Sequence, residues 1–160
     1  MDIGVFSRRK MVAVPILRHT GYKNPPFLFI NTYGNIHGMR LLTRSFDNIP
    51  PPVLEYHVYA ISTTRPQKYR EMPILWLFAP TFDIQIEYNR TKDLNKFHER
   101  MAAALKQRAS AIEDWVKANS DAKICLACWE GIDSCHRGLV TEVIRQAAEK
   151  AGISVTIDIG

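Results

Sequence analysis

Apolar and polar positions follow two different periods along this chain, and each period predicts a different element. Ile124 to Cys128 is an unbroken apolar run between polar Asp121 and Lys123 on one side and Gly131 on the other, which predicts a short strand buried on both faces. Leu139, Val140, Val143, Ile144 and Ala147 then recur at helical spacing between Gly138 and Ala151, with Glu142, Arg145, Glu149 and Lys150 on the opposite side. A strand, a loop and a helix therefore follow one another here.

The remaining segments sort by the same test. Val12, Val14 and Ile16 alternate as in a strand, and Gly21 to Pro26 is a turn. Phe27 to Ile30 is a second β run, ending in the small polar stretch Asn31-Thr32-Tyr33-Gly34-Asn35. Three consecutive prolines make residues 44–52 an exposed connection. Tyr56 to Ile61 predicts a strand, and Ile74 to Phe78 another buried segment. Thr81 is placed to cap a short helix that carries Asp83 in its first turn. From Asp93 to Asn119 the apolar residues step by three, four or seven, which predicts one long helix. Ile153 to Gly160 alternates as a half-exposed strand at a sheet edge. The expectation is a single three-layer α/β domain over residues 1–160, with a central mixed, partly parallel sheet flanked by helices. Residues 1–26 would form an extension and 27–160 the core.

Composition narrows the class without naming a reaction. The 160 residues are 46% hydrophobic and 23% charged, an ordinary globular balance that excludes fibrous and disordered readings. No apolar run approaches the roughly 18 residues of a membrane span, and Pro15, Arg18 and His19 interrupt the first apolar stretch, so neither signal peptide nor membrane anchor is expected. Three cysteines suggest reduced thiols and a cytoplasmic setting. The net charge of +5 is uneven: residues 1–44 hold seven bases against Asp2, a balance of +6 that leaves −1 for the rest. Such a patch suits an anionic ligand (phosphate, nucleotide or nucleic acid), or it serves only as a solubilising surface.

The candidate chemistry gathers between Cys128 and Arg137. Cys125 and Cys128 are spaced as a CxxC pair, yet residues three apart on a strand face opposite ways, so Cys125 reads as core. A metal would have to use Cys128, Cys135 and His136 without an obvious fourth ligand, so no metal and no cofactor is assigned. Cys135 precedes the predicted helix beside His136 and Arg137, surroundings that favour thiolate. The catalytic candidates are Cys135, Glu130 and His136. An anion site would be built from Arg137, Asn31, Thr32, Tyr33, Asn35 and Cys128, with the helix amides and an arginine fork meeting the ligand. The same Cys-His-Arg corner could also be purely structural, with Cys135 packed under the loop and His136 and Arg137 bound to backbone carbonyls, and Glu130 could pair with Arg137 or act as a general base.

These residues carry a resemblance. Cys128, Glu130, Cys135, His136 and Arg137 stand where the family known as domain of unknown function four-eight-eight has a strand-ending cysteine, an acidic residue and a Cys-His-Arg helix start. The stretch Asn31 to Ile36 is similar to that family's early tyrosine and asparagine segment, and Leu77 to Tyr88 to its leucine-alanine-proline-serine segment, with Thr81 replacing serine. The resemblance covers roughly residues 28–151 and implies a compact α/β domain of prokaryotes and their viruses, without an established reaction. Three functions stay open at this point: an enzyme acting on nucleotide or nucleic acid, a non-catalytic nucleic-acid-binding module, and a redox or metal protein using Cys128, Cys135 and His136.

Overall fold

The computed structural model describes residues 12–14, 28–30, 38–51, 54–129 and 135–160. The chain divides into two compact units, Met1–His37 and Gly38–Gly160. Within the first, strand β1 (Val12–Val14) pairs antiparallel with β2 (Leu28–Ile30), Val12 opposite Ile30. The expected residues Asn31, Thr32, Tyr33 and Asn35 lie outside the described residues, as does Glu130.

The second unit contains β3 (Met39–Ser45), β4 (His57–Ala60), α1 (Phe82–Thr91), α2 (Leu94–Gln107), α3 (Ala109–Ala118), β5 (Lys123–Cys128), α4 (Arg137–Ala151) and β6 (Val155–Ile159). Its four strands run in the order β4-β5-β3-β6 and every neighbouring pair is parallel. The expected mixed sheet is therefore replaced, in this unit, by an all-parallel one; the antiparallel pair belongs to the first unit. The alternation in the last segment does form an edge strand, as its spacing predicts.

Strand period two divides the side chains between two cores. Met39 and Leu41 of β3, with Ile124, Leu126 and Cys128 of β5, meet the apolar stripes of all four helices, among them Ile84, Phe97, Met101, Ile112, Val140 and Ile144. Ala127, Ala60 and Val58 face the other way onto Phe46, Ile49, Tyr69, Met72 and Ile74. Loop segments and two short 3₁₀ turns, which supply Phe46 and Tyr69, cover that second face, and no α-helix of the described residues contributes to its core. Outside β4, the backbone of Pro73 to Leu75 runs alongside Ala60, which gives Ile74 its place; Trp76 beyond it is exposed.

Two helix expectations change. Thr81 occupies the N-cap of α1 but makes no capping bond; its hydroxyl meets the Asp83 carboxylate, and with Arg100 it holds that carboxyl below its ordinary pKa against the opposing effect of burial. The single helix over 93–119 is two, broken at Arg108, whose φ of −93° and ψ of 7° leave the helical region. The reason is distant in sequence: the Arg108 guanidinium donates to the carbonyls of Leu77 at 3.0 Å and Ala79 at 2.9 Å. Local caps fix the other ends. Asp93 accepts from the Lys96 amide at 3.0 Å, and Gly152, at φ 68°, closes α4 in the left-handed conformation that glycine adopts at low cost.

Candidate functional site

Because the sheet of the second unit is parallel, all its strands end on one edge, where open α/β sheets place ligands. β5 delivers Cys128 to that edge, and the backbone that enters α4 brings back Cys135 and His136. One sulfur from each cysteine and one ring nitrogen of the histidine lie within 4.8 Å of one another, and all three residues are buried. Neither Cys135 nor Cys128 is more than 3% exposed.

The orientation of His136 follows from elementary chemistry. Its Nε2 lies 2.9 Å from the carbonyl oxygen of Ile61, at the end of β4. A carbonyl has no proton to give, so Nε2 carries the hydrogen and donates it. In the neutral ring the other nitrogen, Nδ1, is then an acceptor, and it lies 3.9 Å from the Cys135 sulfur. Phe97 of α2 packs edge-on against the imidazole at 5.8 Å between ring centres, which fixes the ring from a second side.

These contacts shape the charge on sulfur. The Cys128 thiol, donating to Cys135, holds the Cys135 thiol well below its ordinary pKa against desolvation, aided by the Arg137 backbone N–H and, once Nδ1 has taken a proton, by the His136 ring. Cys125 behaves in the opposite way, as burial pushes its thiol up to about 11, offset in part by Arg44 and Arg137. The placement of Cys125 and Cys128 on opposite faces agrees with the alternation expected from sequence.

Arg137 does not present the outward fork expected of an anion site. Its side chain is 1% exposed, and Nη1 donates to the Gly160 carbonyl at 2.6 Å, joining the start of α4 to the end of the chain just beyond β6. That carbonyl stands past the last ladder bond and is satisfied from α4. Three soft donors could meet a zinc-type ion, but a closed tetrahedral shell needs four, and no fourth His, Cys, Asp or Glu joins them among the described residues.

A cleft of about 250 Å³ opens onto Cys128 and His136, walled by Ser62, Thr63, Thr64, Gln85 and Tyr88 and by the apolar faces of Phe97 and Trp129. Trp129 helps to set one wall: its Nε1 donates to the Thr64 carbonyl at 2.9 Å, and its ring stacks edge-on against Phe46. Among the described residues, no lysine or arginine lines the cleft. A larger groove of about 470 Å³ between α2, α3 and α4 is mostly apolar and lacks any cysteine or histidine, so its size does not make it the reactive site. Sequence reasoning had found the two cysteines and the histidine but not Ile61, Phe97 or the Ser62 to Thr64 wall. The one available signal for the wall was its position directly after the β4 run.

Comparison with family models, with curated proteins and with solved structures returns no match for this chain. The likeness to the four-eight-eight family thus rests on its motifs alone. Among the described residues no helix is long and apolar enough to cross a membrane.

Proposed function

We propose that this protein is a thiol-dependent enzyme in which the Cys135 thiolate attacks an electrophilic centre of a small polar molecule admitted through the cleft. The observation that carries this reading is the Nε2 to Ile61 carbonyl bond, because it leaves Nδ1 as the acceptor facing the Cys135 sulfur. A cysteine beside an oriented imidazole is the arrangement nucleophilic catalysis requires. Cys128 steadies the thiolate and lines the cleft, while His136 takes and returns the proton. The hydroxyls of the wall and its neutral lining favour an uncharged reacting group. A phosphate, nucleotide or nucleic acid, the ligand class expected from the basic N-terminal quarter, would meet no lysine or arginine among the described residues of the lining.

Alkylation of each cysteine against pH, read by peptide mass spectrometry on the folded protein, tests the reading. The Cys128 and Cys135 pair should react well below the free thiol's pKa of roughly 8.5, and His136→Ala should move the midpoint upward. A pair that reacts only near the ordinary thiol pKa, or only after unfolding, rejects it.

A further inference from the structure

We propose that Cys128 and Cys135 are a reversible redox pair, in which a hydroperoxide oxidises Cys135 and Cys128 resolves the product as an intramolecular disulfide. The inference rests on the thiolate reading above and adds a co-reactant, a second role for Cys128 and a way of switching the site off.

Three observations carry it. The two sulfurs lie within 4.8 Å of each other, close enough for side-chain rotation to bring them toward the roughly 2 Å of a disulfide bond. Cys128 is also the largest influence lowering the Cys135 pKa, so the two side chains act on each other as a resolving pair must. Both sulfurs are nearly enclosed, with Cys128 lining a small cleft, so a molecule the size of a hydroperoxide is favoured over bulky oxidants. Cys125, on the opposite face of β5, is outside the arrangement.

The electrons balance in two steps. The Cys135 thiolate attacks the peroxide O–O bond; an S–O bond forms, the O–O bond breaks, and the departing oxygen takes a proton to leave as water or an alcohol. Sulfur has lost two electrons and the peroxide has gained them, giving Cys135 sulfenic acid. The Cys128 sulfur then attacks the Cys135 sulfur, forming S–S and breaking S–O, and the Cys128 proton leaves with the hydroxide as a second water. Reduction by an external thiol runs through attack at the Cys128 sulfur with Cys135 leaving, since the better-stabilised thiolate departs faster. The disulfide should therefore be labile.

The test uses the full-length protein, reduced and dialysed against a chelator, then exposed to hydrogen peroxide, blocked with iodoacetamide and digested without reduction. The expected product is a Cys128 to Cys135 crosslink two hydrogens lighter than the thiols, removed by dithiothreitol, with low-pH alkylation of the pair abolished by peroxide and restored by reductant. In Cys128→Ser, dimedone should instead trap a sulfenic acid at Cys135. A wild-type protein in which Cys135 oxidises while Cys128 stays alkylatable overturns the redox pair but leaves the nucleophile intact. Crosslinks through Cys125 overturn it equally. If peroxide leaves the pair unchanged and alkylation rises only near the ordinary thiol pKa, both proposals fall together.

Discussion

Cys125 and Cys128 lie three residues apart on β5, and the protein treats them as opposite kinds of side chain. Cys125 is sealed on the face away from the helices, where burial raises its thiol to about 11. Cys128 closes the same strand on the helix face, where it meets Cys135 and His136 in one cluster. Both are buried, so depth alone does not separate them. The difference lies in partners: desolvation acts unopposed by any hydrogen bond at Cys125, and at the pair it is outweighed by a donated S–H, a ring nitrogen and a backbone amide.

The largest expected effect comes from removing the partner sulfur. In Cys128→Ala, Cys135 should lose the partner that does most to hold its pKa down, so its alkylation at pH 5.5 should fall, by about a factor of ten for each pH unit its pKa rises. Quantitative peptide mapping reads this directly. Unchanged labelling of Cys135 at pH 5.5 would show that Cys128 does not hold its pKa down.

A smaller effect should appear in stability against pH, with opposite signs at the two sites. At the pair the unfolded chain holds a proton the folded chain has lost, so stability should rise with pH from the acid range up to the free thiol's pKa, at about 1.4 kcal/mol per unit for one proton. At Cys125 the folded chain keeps its proton up to about 11 while the unfolded chain loses it earlier, so stability should fall across that alkaline window. Urea denaturation of wild type, Cys135→Ala and Cys125→Ala over pH 5–11 separates the two slopes. Each variant should lose only its own slope.

The smallest effect is that of Cys125→Ala at neutral pH. Deleting one buried sulfur should cost about 1 kcal/mol, a melting shift of about 2–4 °C in a chain of this size, and should leave the reactivity of the pair untouched. A change in the pair's alkylation profile would show that the two faces of β5 communicate, and the contrast drawn here would fail.

How much of this was legible depended on distance along the chain. The buried run Ile124 to Cys128, the helix closed by Gly152 and the alternating edge strand β6 could be read because each is set by its own period and its own caps. The same period told that Cys125 and Cys128 face apart. β3 was missed, although it lies between β5 and β6 inside the sheet. Met39, Leu41 and Thr43 do alternate inward, but Arg40 and Arg44 interrupt the apolar signal, and only the fold explains Arg44, which pairs with Asp158 of β6 at 2.6 Å. The break at Arg108 was invisible for the same reason: its carbonyl partners lie about thirty residues earlier.

The sequence by itself determined the α/β alternation, the face each β5 side chain takes, and the presence of two cysteines and a histidine beside a helix start. Only the tertiary structure decided that the sheet of the second unit is parallel throughout, that Arg137 turns inward to Gly160, and that the Ile61 carbonyl orients His136 toward the Cys135 sulfur. The physical reason is the range of the interactions. Period and capping act over one or two turns of chain, whereas the proton on His136 is placed by a carbonyl 75 residues away, which arrives there only because β4 packs beside β5.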